Sequence, residues 1–245
     1  MTGTHERALI QSYFDGIGFE RLHRIYGEDP CSGFRAMVRK GHREVLGTVQ
    51  SWLDAEDAVA GKTMLDAGCG SGTVSIPLAA AGATVHAVDF SEKMVEAARE
   101  RADRESIPAD RLRFAVCDFM SIRGSYDTVL CIDVLARYST AASTALLAHL
   151  TSLASSRLIL TYTPKGLLDR LWLAIGNRYA SRKNAVPLFT HREADIRTAL
   201  GSLGWTVHRE ARVAAGFRSY FCRLLECGRR EAGVEYAGDF PEVWY

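Results

Sequence analysis

From Gly61 to Thr163, short apolar runs alternate with longer stretches of helical period. The runs near 63 to 68, 84 to 89, 112 to 117, 126 to 132 and 157 to 163 read as strands. The stretches near 74 to 81, 92 to 104 and 140 to 153 read as helices. Such alternation predicts a parallel sheet with helices on both faces. Two further β segments, 206 to 211 and 218 to 226, are joined through Ala214-Ala215-Gly216 and predict a hairpin that adds an antiparallel edge. Upstream, Leu9, Tyr13 and Phe14, then Val38, Val45, Leu46, Val49 and Leu53, recur at helical spacings within 4 to 56. The expected architecture is α/β, a doubly wound, mostly parallel seven-stranded sheet with an antiparallel C-terminal hairpin and an N-terminal helical layer.

This divides the chain into a helical layer or substrate cap (1–58), a core (59–227) and a tail (228–245). The tail has no clear period, and no internal repeat is visible. Within the core, residues 165 to 190 form a candidate lid insertion. Ser91 is placed to cap the helix after it, and Thr190-His191-Arg192-Glu193 has the spacing of a capping box.

Composition narrows the function. The 245 residues are 47% hydrophobic and 24% charged, enough for a substantial core. A formal net charge of +1 argues against nucleic acid, whose binding normally needs a strongly basic face. No apolar run reaches the roughly 18 to 20 residues that span a bilayer, and Met-Thr-Gly-Thr-His-Glu-Arg lacks the regions of a signal peptide, so a cytoplasmic location is expected. The six cysteines include no C-x-x-C pair, and no metal site is expected.

The most specific chemistry lies at Thr63-Met64-Leu65-Asp66-Ala67-Gly68-Cys69-Gly70-Ser71-Gly72-Thr73, an apolar strand running into a glycine turn. Glycines let backbone approach a ligand closely, a device shared by many nucleotide folds. Asp89 follows Gly72 by 17 residues, at the end of the second strand, near the spacing at which an acid reaches a ribose hydroxyl. Two dinucleotide readings compete here with a methyl-donor reading. Asp66, just before the glycines, would repel a pyrophosphate but suits the ammonium and sulfonium of S-adenosylmethionine. Asp118, followed by Phe119-Met120, offers a carboxylate for an adenine amino group beside apolar side chains for its ring. Asp133 ends the fourth strand, where ligand crevices of such sheets lie, although a cap or surface charge would explain it equally.

Leu65-Asp66-Ala67-Gly68-Cys69-Gly70-Ser71-Gly72, with Asp89 and Asp118, resembles the class I S-adenosylmethionine-dependent methyltransferases, whose motifs here cover 63 to 133. The expected cofactor is S-adenosylmethionine, and the candidate contacts are Asp66, Gly68, Cys69, Gly70, Asp89, Phe90, Asp118, Phe119 and Asp133.

The helical layer is more particular. Tyr13-Phe14-Asp15-Gly16-Ile17-Gly18-Phe19-Glu20-Arg21, Ile25-Tyr26-Gly27-Glu28 and Val38-Arg39-Lys40-Gly41-His42 resemble the magnesium-protoporphyrin IX O-methyltransferases of chlorophyll synthesis. The resemblance continues through Leu160-Thr161-Tyr162-Thr163-Pro164-Lys165 to about Glu226. It implies methylation of a porphyrin propionate, with Tyr26 over the methyl-donor site. Arg39 and His42 are candidate ligands of acceptor carboxylates, against the alternative of a solvated helix face. Leu167, Leu168, Leu171, Trp172 and Ile175, edged by Arg170 and Arg178, suit a flat macrocycle or a membrane surface, and equally an ordinary core. Family members commonly carry a histidine before the tyrosine that follows Asp-Val-Leu. Here the segment is Ala136-Arg137-Tyr138. Arginine stays protonated and cannot serve as a base, but its planar fork can clamp a carboxylate. Arg137 joins Tyr26 as a catalytic candidate, and Tyr138 and Trp172 join Arg39 and His42 on the acceptor side. The expected partner is a small-molecule acceptor, and peripheral contact with a membrane is a further expectation. Three alternatives stay open: another acceptor in specialised metabolism, which Arg137 and the tail favour, a module that binds cofactor or tetrapyrrole without transfer, and, least favoured, a dinucleotide oxidoreductase.

Overall fold

The computed structural model describes residues 3–26, 30–56, 58–165, 186, 188–215 and 220–229. At its centre lies β1 (Thr63–Ala67), flanked by β2 (Thr84–Asp89) and β4 (Tyr126–Cys131), with β3 (Leu112–Val116) beyond β2 and β5 (Ala154–Tyr162) beyond β4. These five strands are parallel, and β7 (Tyr220–Arg229) then β6 (Trp205–Ala215) complete the sheet antiparallel to their neighbours. The seven-stranded order is β3-β2-β1-β4-β5-β7-β6. Because the chain turns one way after β1 and the other way into β4, a crevice opens at the carboxyl ends of these two strands.

Strand side chains alternate between faces, which gives the sheet two cores. Leu65, Ala67, Val129 and Cys131 belong to one, together with Leu146, Leu147 and Leu150. Met64 and Leu130 belong to the other, together with Val45, Val49 and Leu53. The leucines sit on α6 (Thr140–Leu153), while the latter three are spaced four apart on α3 (Gly33–Asp54) and form its buried stripe. Residues 4 to 56, expected to be helical, form α1 (Gly3–Phe14), α2 (Ile17–Tyr26) and α3. Just past α3, Glu56 pairs with Arg157 of β5 and Arg209 of β6, and the Arg209 guanidinium also donates to the Trp52 carbonyl at 3.2 Å. The helical layer is thus fastened to the antiparallel edge.

Among the described residues the remaining α-helices are α4 (Ser75–Ala80), α5 (Glu92–Arg104) and α7 (Glu193–Ser202). Ser91 caps α5 as expected, its Oγ accepting the Met94 amide at 3.4 Å. The capping box at Thr190 does not form. Helix α7 starts at Glu193 with Arg192 at its cap position and no side-chain cap bond. Backbone pairing explains this: His191 donates to the Thr163 carbonyl at 2.9 Å and accepts from the Lys165 amide at 2.9 Å, so it is held extended beside β5. The hairpin forms, but Ala214 and Ala215 pair with Phe221 and Tyr220 inside it instead of serving as its connection. Gly228 and Arg229, expected to begin the tail, are the last residues of β7. Most of the candidate lid, and the remainder of the tail, lie outside the described residues.

Candidate active site

The turn after β1 bends sharply because the amides of Gly68 and Cys69 both donate to the Val88 carbonyl, at 2.8 and 3.0 Å. Its glycines all have positive φ, for different reasons. A Cβ on Gly68 would lie 2.5 Å from Val134 Cγ2, and one on Gly72 would lie 2.9 Å from Ile76 Cδ1. Those two are packing requirements. Beside Gly70, at φ +52, nothing lies within 4 Å of a Cβ position, and Gly70 lines a pocket.

That pocket sits in the crevice between β1 and β4. The turn contributes Asp66, Gly68, Cys69 and Gly70, and the end of β2 contributes Asp89 and Phe90. Phe119, in the short 3-10 helix Phe119–Ser121, lies on its wall. Asp133, Arg137 and Tyr138 enter from the segment after β4, and Tyr26 and His42 from the helical layer. Twelve of the residues proposed from sequence therefore share one cavity.

Three carboxylates shape its electrostatics. Asp66 is 1% exposed and accepts from Ser75 Oγ at 2.5 Å. Burial pushes its carboxyl up to about 6, against the opposing pull of the Ser75 bond. Asp89 accepts the Ser91 amide at 2.9 Å and the Gly70 amide at 3.0 Å, and burial raises its pKa despite those bonds. Asp133 adopts φ 60, a conformation that Asp tolerates better than most residues. Its amide donates to Thr161 Oγ1 at 2.7 Å. Burial, followed by the Asp133 charge, pushes the Tyr26 phenol well above its ordinary range, so Tyr26 carries its proton at neutral pH. The Arg137 guanidinium lies 5.4 Å over the Phe14 ring, a cation–π contact that holds it at the pocket wall.

Two proposed residues, Asp118 and Arg39, are not on the pocket wall, and a third is not described. Asp118 is absent from the pocket wall, and its Oδ1 accepts the Met120 amide at 2.9 Å, capping the 3-10 helix. One of its oxygens thus serves the turn. The Arg39 guanidinium donates to the carbonyls of Ile25 (2.6 Å) and Arg24 (3.0 Å), which ties α3 to the end of α2. It satisfies the exposed end of a helix and does not line the pocket. Trp172 lies outside the described residues.

Sequence reasoning missed Thr73 and Ser75, although both polar side chains directly follow the glycine turn, which was a usable signal. It also missed Ile10, Phe14, Leu22 and Met94, which give the pocket much of its apolar wall. Of these only Phe14 falls on the helical period read from the sequence, and a period announces burial without saying that the buried face meets a cavity.

Carboxylates held by hydrogen bonds, beside one glycine with open space and an apolar wall of Ile10, Phe14, Phe90, Met94 and Phe119, fit a cationic, ribose-bearing ligand with a flat ring. They do not fit a pyrophosphate. Sheet order, turn and acids together define a class I S-adenosylmethionine-dependent methyltransferase, and a 1,6-didemethyltoxoflavin-N1-methyltransferase from Burkholderia thailandensis shares the fold (TM-score 0.68, 16% identity, 94% of this chain and 92% of that one). A methyltransferase-domain model matches residues 64–155, and the model for the magnesium-protoporphyrin IX methyltransferase C-terminus matches 131–229. The magnesium-protoporphyrin O-methyltransferase of Synechocystis is 38% identical over 91% of this chain and 96% of its own length. The chloroplast enzyme of Arabidopsis thaliana is also 38% identical, over 91% of this chain and 72% of its length. The crystal structure of the Synechocystis enzyme with bound SAH superposes with a TM-score of 0.83 at 37% identity, covering 91% of this chain and 99% of that one. The chain belongs to the magnesium-protoporphyrin IX O-methyltransferase family.

Proposed function

We propose that the protein transfers the methyl group of S-adenosylmethionine to a propionate carboxylate of a magnesium porphyrin. The observation that carries this reading is similarity to the Synechocystis enzyme along nearly the whole of both chains, the helical layer included. Bound at the glycine turn, S-adenosylmethionine supplies an electrophilic methyl on a sulfonium. Asp66 and Asp89 hold the donor's polar groups, while Phe90, Met94 and Phe119 line the apolar space for its ring. An acceptor carboxylate is already ionised at neutral pH, so the chain needs no general base. Its work is orientation and exclusion of water. Arg137 clamps the acceptor carboxylate with two parallel N–H donors, and the protonated Tyr26 hydroxyl orients the reacting groups from the layer above.

Incubating the protein with magnesium protoporphyrin and S-adenosylmethionine should yield a monomethyl ester, detected by mass. Failure to form ester or bind the pigment would sink this reading. Arg137, where relatives commonly carry histidine, supports a second reading in which another carboxylate-bearing small molecule is the acceptor. Ester formation on such a compound but not on the porphyrin would select it.

We further propose that the protein works in the cytoplasm and touches a membrane surface through its N-terminal helices. The support is apolar exposure: Phe34 is 63% exposed, Leu9 50% and Ile17 49%. Cosedimentation with anionic vesicles tests the contact, and loss of the protein from the vesicle pellet would count against it.

A further inference from the structure

His42 was expected to meet an acceptor carboxylate, but the structure gives both of its nitrogens other partners. Nδ1 lies 2.9 Å from Asp133 Oδ2 and Nε2 lies 3.0 Å from Thr73 Oγ1. The ring centroid is 4.2 Å from that of Tyr26, with the planes tilted by 36°. The residue is only 6% exposed, beside a buried Gly41, on the face of α3 that packs against the core. A buried imidazole is tolerated at such a place only when its nitrogens are satisfied.

The three contacts belong to three separate stretches. Tyr26 ends α2, Thr73 follows the glycine turn, and Asp133 follows β4. His42 therefore joins the layer that covers the acceptor side to the backbone that holds the donor. Because the Asp133 carboxylate accepts, Nδ1 carries the hydrogen. Nε2 then accepts from the Thr73 hydroxyl when the ring is neutral and donates to it when the ring is charged. The bridge holds in either state, so it can fasten the two elements whatever the charge of the ring.

We propose that His42 is a positioning residue for methyl transfer: it clamps the helical layer onto the glycine turn and thereby sets the Tyr26 ring and the Asp133 carboxylate in the pocket. Only the turnover arm of the test rests on the acceptor proposed above. His42→Phe keeps an aromatic ring against Tyr26 and removes both hydrogen bonds. His42→Gln places an amide near the position of Nε2 and keeps the Thr73 bond, the tie to the glycine turn.

With S-adenosylhomocysteine as the probe, calorimetry should show its Kd changed by less than about threefold in His42→Phe, while turnover on magnesium protoporphyrin falls by at least about tenfold. His42→Gln should recover most of that turnover. Hydrogen exchange of residues 17–26, followed by mass spectrometry in the probe-saturated protein, should be faster in His42→Phe than in wild type and restored in His42→Gln. The inference is overturned if exchange is unchanged in His42→Phe, if turnover and probe affinity fall by the same factor, or if His42→Gln performs no better than His42→Phe. Where His42→Phe does not fold, Thr73→Val removes the other end of the bridge and is held to the same criteria. Wild type that makes no ester defeats the acceptor reading, while the exchange arm still decides the role of His42.

Discussion

Asp89 Oδ2 accepts the Gly70 amide at 3.0 Å, so the acid that ends β2 is a strut of the turn that follows β1. Its other oxygen holds the Ser91 amide. Asp89→Ala should weaken S-adenosylhomocysteine binding by about 1 to 3 kcal/mol, the cost of losing a charged hydrogen-bond partner. Calorimetry is the check, and an unchanged Kd removes Asp89 from the donor site.

The glycines of the turn should respond differently to the same added methyl. Gly68→Ala forces a Cβ to 2.5 Å from Val134 Cγ2 at φ +86, and should cost about 2 to 4 kcal/mol of stability, seen as a lower melting temperature. Gly70→Ala meets only the left-handed backbone cost of about 1 to 2 kcal/mol, but should weaken the donor about tenfold or more by filling the space beside it. Equal melting temperatures for the two variants would contradict the packing argument.

Burial raises the Asp66 carboxyl to about 6. Because the folded protein holds this proton more tightly than the unfolded chain, the associated stability is full below about pH 4 and is lost as pH rises through about 6, by about 2 to 3 kcal/mol. A cationic donor prefers the ionised form, so its affinity should rise between pH 5 and 7 as apoprotein stability falls. Calorimetric titrations across that range test the rise, and Asp66→Asn should flatten it.

Arg137→Ala should raise the acceptor KM by about 10- to 100-fold, as expected for a lost charge-assisted pair, with S-adenosylhomocysteine affinity nearly unchanged. Steady-state kinetics on magnesium protoporphyrin decide it. A drop confined to kcat would instead make Arg137 a group that acts only in the transition state.

Tyr26→Phe should lower turnover by about 10- to 100-fold while leaving the melting temperature within a degree or two of wild type. Equal turnover would make the ring, stacked on His42, its whole contribution.

The donor half of the site was legible because it is local: a strand, a turn and an acid lie within a few residues of one another, and backbone geometry fixes what they can bind. The acceptor half was legible in membership but not in role. Arg39 and His42 stand three residues apart on one helix, yet one ties α3 to α2 and the other reaches Thr73 and Asp133, distant in sequence. Asp118 has a local task that its spacing did not show, since one of its oxygens caps the turn that follows it. Thr190 failed as a cap because pairing between His191 and the residues after β5 decides where α7 begins.

That pairing reaches further than one helix start. Pro164 and His191 form a parallel bridge, and Phe189 donates to the Ala136 carbonyl beside Arg137. Two stretches of chain far apart in sequence thus meet at a single seam beside β5. Since loop closure costs grow only slowly with length, insertions and deletions between those two points leave the seam itself intact. The length of chain between those two points can therefore vary while β5, the start of α7 and the donor turn stay as they are.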